Sequence, residues 1–292
     1  HYEEAPFQFV QKMAQNVDLY VKCRVPDGTQ EGNVHLKNIA LLAGKSYKLH
    51  LMLMLAASNM NADALAKFKA VLESVVYYTV INKIATNVTE RTFALWCKDV
   101  RNIVTPEDLD GFVNRTIIPT VNDWKMNNKS NFLRLGLNSM QQYRIKFILG
   151  KITAYVDALR LGKTTVEDLT GYTQTAVEIE HIMPQTCTDK ASYDLDEEEF
   201  AVYIHRLGNL TLLENSINKS IHNDNYANKS VAYKQSKFYI TSSLSALVNQ
   251  GQDTAINRTN LLLSAWPDWN KQAIEERQEM LYRLSEMIWE IR

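Results

Sequence analysis

Apolar residues recur at helical spacing through most of the first 165 residues. Such spacing places them on one face of a helix and predicts amphipathic segments, which cover about 7–20, Val34 to Ala57, 63–84 and 139–160. Thr89-x-x-Thr92 opens a further helix near Phe93 to Trp96. Asn61 and Thr105 are residue types that cap helix N-termini, and Pro106 suits a first helical turn. We therefore predict a helical region over residues 1–165 whose apolar stripes form a core.

The pattern changes near residue 163. Val177 to Met183 alternates in polarity and is rich in β-branched residues, and Pro184 follows within one residue, which predicts a short strand. The Gly208-Asn209 pair predicts a turn into a second strand, Leu210 to Leu213. Two short strands close together in sequence predict a small sheet.

Helices are predicted around this sheet. The acidic run Asp194 to Glu199 favours a helix N-terminus, where acidic side chains are stabilising. Asn215 or Ser216 begins a helix, and residues 253–292 return to a helical pattern. The prediction is a mainly α fold, with a helical region over 1–165 and a second domain over 166–292. That domain holds a strand–strand–helix core at about 170–240, enclosed by C-terminal helices.

Composition restricts the classes of function. An apolar fraction of 46% and a charged fraction of 22% are typical of a soluble globular protein. The net charge of −1 means that a nucleic-acid surface would have to be a local patch. Cys23, Cys97 and Cys187 lie too far apart for a disulfide framework or a paired-cysteine zinc site, which favours a reducing, cytoplasmic setting. The most apolar stretch, Leu49 to Ala57, is too short to cross a bilayer.

Candidate chemistry lies in the segment Glu178-Ile-Glu180-His181-Ile-Met-Pro184-Gln185. Because side chains alternate along a strand, Glu178 and Glu180 share one face and His181 points to the other. A neutral imidazole can take a proton from water near pH 7, so His181 is a candidate general base for phosphodiester hydrolysis.

Oxygen ligands for a divalent cation lie in the same region. Mg²⁺ prefers carboxylate and amide oxygens, and Glu180 with Asn218 would supply one of each. Glu178 could take the metal role instead of Glu180. Asn209 would orient the imidazole or tie the loop between the strands through backbone hydrogen bonds.

Other residues compete for these roles. His205 and His222 lie near enough in sequence to compete as the base, although neither sits in a strand–proline context. Asn215 and Asn223 could be confused with Asn218. Asn209 follows a glycine at a turn, where asparagine is common for backbone reasons alone.

These motifs resemble a known family. The strings Glu-His-Ile-Met-Pro-Gln, Leu-Gly-Asn-Leu-Thr-Leu-Leu and Asn-Lys-Ser look like the ββα-metal (His-Me finger) core of HNH nucleases. The string Arg206 to Leu213, followed by Asn215, Asn218, Tyr226, Lys229 and Tyr233, resembles the C-terminal domain of GmrSD-type proteins, which are modification-dependent (type IV) restriction enzymes and phage-defence nucleases. The specific motifs cover about residues 170–240.

The resemblance implies a metal-dependent endonuclease of prokaryotic cytoplasm that acts on DNA, including modified phage DNA. By position, the general base falls on His181, the metal carboxylate on Glu180, the central asparagine on Asn209 and the helix amide on Asn218. It implies Mg²⁺ or Mn²⁺ without a structural zinc, and a homodimer is a possible assembly. Members normally carry an N-terminal nucleotide-binding domain. The chain begins with His1, and we expect it to be a piece of a longer protein that lacks this domain.

Basic residues interleaved with tyrosines follow the motifs. Residues 205–240 contain five Lys or Arg against two acidic residues, which suits contact with a phosphate backbone. We predict Lys219, Lys229 and Tyr233 as phosphate contacts. The scattered bases of the helical region, which are Lys45, Lys48, Arg134, Arg144 and Lys146, could line a DNA face, but such scattered bases are usually solvated surface, and we predict the latter.

Two rival functions share the same predicted fold. One is a DNA-binding or sensor module without catalysis, which would bind DNA but show no metal-dependent cleavage. The other is an RNase, since the core chemistry does not use the 2′-hydroxyl of the substrate.

Overall fold

A computed structural model describes residues 6–24, 33–164, 168–187 and 190–292. The chain forms two compact units. One unit extends to Asn128 and includes Trp289–Arg292, and the other is Lys129–Ile288. The boundary predicted at 165/166 falls on residues outside the described ranges, and it stays a prediction.

The first unit is helical. Its α-helices are α1 (Pro6–Arg24), α2 (Asn33–Ala43), α3 (His50–Ala56), α4 (Ala62–Ile81), α5 (Thr86–Val100), α6 (Pro106–Phe112) and α7 (Ile118–Trp124). Short 3₁₀ segments lie at Ala57–Asn59 and Lys125–Asn127, and a π-helical turn lies at Val113–Ile117. Helices α2 and α4 pack through fully buried apolar side chains, among them Leu36, Ile39, Phe68, Leu72 and Val76.

The predicted caps are confirmed. Asn61 accepts a hydrogen bond from Ala64 N at 2.9 Å at the start of α4. Thr105 and Asp108 form a reciprocal capping box at the start of α6, with Pro106 in its first turn. The single helix predicted over Val34 to Ala57 is wrong, because Gly44 adopts a left-handed φ of 98° and ends α2.

Helix α1 departs from the prediction that apolar stripes form core. Phe7, Val10, Met13 and Val17 are all more than half exposed, and Cys23 is the buried residue of the helix. Helical spacing shows that one face of a helix is apolar, but it does not show that another element covers that face.

The second unit contains the sheet. Its α-helices are α8 (Asn128–Phe132, beginning at the last residue of the first unit), α9 (Gln142–Arg160), α10 (Thr170–Thr173), α11 (Glu197–Tyr203), α12 (Asn215–Ile221), α13 (Tyr226–Tyr233), α14 (Tyr239–Ser242), α15 (Ala255–Asn260) and α16 (Lys271–Ile288). Strands β1 (Val177–His181) and β2 (Leu210–Glu214) pair antiparallel, from Val177 opposite Glu214 to His181 opposite Leu210. The 3₁₀ segments are Ala191–Tyr193 and Leu207–Asn209. The predicted mainly α fold with a small strand–strand–helix core is confirmed.

Helices cover the sheet and the turn that leads into β2. Helix α12 packs against both strands, while α9 and α14 pack against β2. Helix α16 packs against the Leu207–Asn209 turn, and its backbone approaches so closely that a Cβ on Gly208 would lie 2.2 Å from Ile274 O. Within the described ranges, none of the helices has both the length and the apolar character needed to cross a bilayer.

Candidate active site

The site forms where β1 ends. His181 is the last residue of β1 and lies opposite Leu210, the first residue of β2. Ile182 N donates to Asn209 O at 2.9 Å just beyond the strand. The antiparallel register therefore brings the histidine motif and the asparagine turn together, although they lie 26 to 28 residues apart in sequence.

His181 is buried and neutral at physiological pH. Its side chain is 8% exposed, and burial, with smaller effects of His205 and Lys229, lowers its pKa to about 4. Gln185 Nε2 lies 2.6 Å from His181 Nδ1. An amide nitrogen only donates, so Nδ1 accepts and the neutral ring carries its proton on Nε2. Nε2 itself is buried and has no hydrogen-bond partner among the described residues.

The two competing histidines occupy different environments. The His205 ring is half-buried, with its centroid 6.2 Å from that of His181, and its Nδ1 has no hydrogen-bond partner in the described chain. His222 is exposed directly after α12 and has a left-handed φ of 45°. Of the three imidazoles, His181 is the one at the end of the strand.

Glu180 is held by helix α13. Lys229 Nζ lies 2.7 Å from Glu180 Oε1 and also donates to His181 O at 2.7 Å, while Tyr233 OH donates to the same Oε1 at 2.9 Å. Burial and the neighbouring Glu180 carboxylate raise the pKa of Tyr233, which keeps the phenol protonated. The second carboxylate oxygen, Oε2, accepts no hydrogen bond from the described residues.

Lys229 and Tyr233, two of the three predicted phosphate contacts, are buried against Glu180. Lys229 is 2% exposed and Tyr233 is 1% exposed, and both donate to Glu180. In this arrangement neither side chain reaches the surface where a phosphate would lie. Lys219, the third predicted contact, is exposed on α12.

Glu178 is surrounded by amides instead. Asn215 Nδ2 donates to Glu178 Oε1 at 2.9 Å, and Asn218 Nδ2 donates to Oε2 at 2.6 Å. A carboxylate only accepts hydrogen bonds, so the nitrogen of each amide must face it. Asn218 Oδ1 therefore points away from Glu178 and accepts no hydrogen bond within the described chain. The structure brings Asn218 to Glu178, and it does not place Asn218 in direct contact with Glu180.

This donor set fits a hard divalent cation. Glu180 Oε2 and Asn218 Oδ1 are a carboxylate and an amide oxygen without partners in the described residues, and Mg²⁺ and Mn²⁺ favour such ligands with several waters. Lys229, Tyr233 and Glu178 hold the other atoms of these two groups, as hydrogen bonds around metal ligands commonly do. Among the described residues, no three His, Cys, Asp or Glu side chains form a cluster that could hold a metal by themselves.

Asn209 fixes the loop that follows β1. Its side chain is fully buried, and Oδ1 accepts from Met183 N at 2.8 Å and from Trp269 Nε1 at 3.0 Å. Nδ2 donates to Ile204 O at 3.1 Å. Of the two predicted roles, these contacts correspond to tying the loop through the backbone.

Helix α16 clamps the turn that carries Asn209. Arg277 is fully buried, and its Nη1 donates to Gly208 O at 2.8 Å and to Leu210 O at 2.7 Å. Gln278 Oε1 accepts from Gly208 N at 2.6 Å. Burial lowers the pKa of Arg277 to about 10, so the guanidinium stays charged at neutral pH.

Sequence reasoning missed Arg277, Gln278 and Trp269. A usable signal was present, because Arg277 and Gln278 lie between Ile274 and Leu281 on the buried face of an amphipathic helix. Polar residues on an apolar helix face require hydrogen-bond partners inside the protein. The sequence does not indicate which groups those partners are, because they lie in the Leu207–Asn209 turn about 70 residues away.

Comparison with known proteins gives the family of the chain. The fold and the site define a strand–strand–helix centre, with a histidine at the end of the first strand, inside a helical protein. The family model for GmrSD restriction endonucleases, C-terminal domain, matches residues 123–284, just over half of the chain. The chain belongs to this family. No curated protein matches it.

Proposed function

We propose that this protein is a metal-dependent DNA endonuclease with His181 as its general base. The observation that carries the proposal is a buried, neutral imidazole at the end of β1, next to a carboxylate whose Oε2 has no partner in the described chain. Membership of a restriction endonuclease family supports hydrolysis of a DNA phosphodiester.

In the proposed reaction, His181 accepts the proton of the attacking water at Nδ1. Gln185 donates to that nitrogen in the resting site, so it has to turn away when water binds. Asn209 and the α16 clamp keep the strand end and its loop in place. His181 is unprotonated at pH 7, which is the state that proton abstraction requires.

Glu180 Oε2 and Asn218 Oδ1 are the proposed ligands of Mg²⁺ or Mn²⁺. The cation supplies charge stabilisation for the phosphate and for the departing oxygen. Lys229 and Tyr233 orient Glu180, while Glu178 orients Asn218. Glu178 is thus a positioning residue in this proposal, and Glu180 is the ligand.

One site of this kind cuts one strand. The expected product is a nick, and a double-strand cut would need a homodimer or two successive events. A defence role in the prokaryotic cytoplasm, against phage or modified DNA and with a nucleotide-binding domain in the same protein, fits the family.

The decisive experiment is nicking of supercoiled plasmid with Mg²⁺ or Mn²⁺. Wild type should nick, and His181→Ala at matched concentration should lose activity by at least about 100-fold, as expected for removal of a general base. His222→Ala tests the competing exposed histidine and should retain activity. Equal nicking by wild type and His181→Ala would overturn the assignment of the base. DNA binding without cleavage in either metal would favour a sensor module, and a preference for matched RNA would favour an RNase.

The metal assignment has its own readout. Glu180→Gln should weaken Mn²⁺ binding, measured by calorimetry without DNA, by at least about tenfold, because the carboxylate charge is lost. Glu178→Gln keeps the hydrogen-bond acceptor that faces the amides and should weaken Mn²⁺ binding less. The opposite order would move the metal carboxylate to Glu178.

A further inference from the structure

Because Lys229 and Tyr233 are buried, other side chains have to contact the backbone phosphates of a DNA substrate. Any such residue must be accessible and close to the site. Helix α9, which sequence reasoning treated as part of the helical region, brings a lysine to β1 from outside the motif segment.

Lys146 lies beside Glu178. Its Nζ donates to Gln174 O at 2.9 Å, just before β1 begins. Glu178 and Lys146 interact electrostatically without forming a direct ion pair. An ammonium group has three hydrogen-bond donors. Within the described chain, Lys146 uses one of them in its hydrogen bond to Gln174 O, so two donors remain for a ligand. The residue is half-buried, and its hydrogen bond to Gln174 O lies at the protein surface.

Tyr143 and Arg144 extend this positive region. Tyr143 lies three residues before Lys146, on the same side of α9, and is 45% exposed. The Arg144 guanidinium lies 5.6 Å from the centre of the Tyr143 ring, and its Nε donates to the phenol oxygen at 3.1 Å. We call these three residues the α9 basic edge.

We propose that the α9 basic edge binds backbone phosphates of the DNA next to the phosphate that is cut. This inference rests on the proposed nuclease function and names a substrate contact for it. Glu178 and His181 are three strand residues apart, which is about 10 Å. Phosphates of one strand follow each other every 3.4 Å or so along the duplex axis. Lys146, at the far end of β1 from His181, therefore contacts a flanking phosphate.

A purely structural role makes a different prediction. If Lys146 only balanced the charge of Glu178, its removal would alter the surroundings of that carboxylate without changing how DNA binding responds to salt. A phosphate contact releases condensed counterions when it forms, so its loss makes the salt dependence less steep. The salt dependence of binding separates the two roles, and it does not require cleavage.

The test is the anisotropy of a fluorescent DNA duplex in EDTA, titrated with protein at several NaCl concentrations. Lys146→Met keeps the aliphatic stem and removes the charge, and Lys146→Arg keeps the charge. Arg144→Met tests the neighbour, and the double variant combines both losses. Lys98→Met, on the exposed side of α5, is the matched control. Thermal melting of each variant verifies folding.

The slope of log binding constant against log salt should become less steep by about 0.9 for Lys146→Met and by about 1.8 for the double variant. Lys146→Arg and Lys98→Met should keep the wild-type slope. Wild-type slopes in both Lys146→Met and Arg144→Met would overturn the α9 basic edge and leave the nuclease proposal intact. A wild-type protein that binds no DNA in EDTA would overturn the α9 basic edge, and plasmid nicking with Mg²⁺ or Mn²⁺ would decide the nuclease proposal separately.

Discussion

Lys229 donates one hydrogen bond to the Glu180 carboxylate and another to the main-chain oxygen of His181, each at 2.7 Å. One ammonium group thus holds both the proposed metal ligand and the backbone of the proposed base. The two partners lie in β1, 48 and 49 residues before the lysine. Helix α13 is therefore part of the framework of the candidate active site.

Lys229→Met should destabilise the protein by about 3–5 kcal/mol, because it leaves a buried carboxylate without its ion-pair partner. The salt dependence of DNA binding should stay at the wild-type slope, since the buried lysine does not reach a phosphate. Chemical denaturation and the anisotropy titration measure the two effects. Lys234 is exposed and directly follows α13. Lys234→Met is therefore the control and should change the free energy of unfolding by less than about 0.5 kcal/mol. A reduced salt slope with unchanged stability would restore Lys229 as a phosphate contact.

Gln185→Glu should reduce single-turnover nicking by at least about tenfold, whereas Gln185→Ala should have a smaller effect. A carboxylate at this position would accept a hydrogen bond from His181 Nδ1–H, which favours the tautomer with its basic lone pair on the buried Nε2. Nitrogen-15 NMR of the imidazole would report the change of tautomer directly. Equal activity of the two variants would show that the tautomer held by Gln185 does not matter for cleavage.

Gly208→Ala should be strongly destabilising, by about 2 kcal/mol or more, because the new methyl group would overlap the backbone oxygen of Ile274. Gly171→Ala is the matched control. A Cβ there meets no atom within 4 Å, so the variant should be neutral or more stable by up to about 1 kcal/mol. Denaturation midpoints of the two variants make the comparison, and similar midpoints would contradict the close packing of α16 on the turn.

Acid should destabilise the protein through buried histidines. Burial, with a smaller effect of Lys48, lowers the pKa of His50 to about 4 in the folded state, against 6.5 for the free side chain. Between these values the unfolded chain binds a proton that the folded chain does not. The free energy of unfolding is therefore unaffected by this group above pH 6.5, and it falls as pH decreases towards 4.

For one such histidine the loss approaches about 3 kcal/mol at pH 4. His50→Leu should remove this part of the pH dependence, while the part due to His181 remains. Thermal unfolding of wild type and variant between pH 7 and pH 4.5 is the measurement. Parallel curves for the two proteins would show that His50 titrates normally in the folded state.

Much of the site core could be predicted from local sequence. The β-branched alternation and Pro184 define β1, and the Gly208-Asn209 turn defines the start of β2. These signals are local, because strand alternation and turn chemistry depend on neighbouring residues. The partners of Glu180 were not predictable in this way, since Lys229 and Tyr233 become buried only through tertiary packing. The same limit explains α1, where periodicity indicated an apolar face that the described chain leaves exposed.

The clamp on the Asn209 turn has a consequence for protein synthesis. Arg277 and Gln278 are translated about 70 residues after the turn that they hold. A ribosome-bound chain that ends before them carries both strands and every proposed catalytic side chain, but lacks the helix that fixes the turn. The Asn209 turn therefore gains its buried hydrogen-bond partners on α16 only after residues 277 and 278 have left the ribosome.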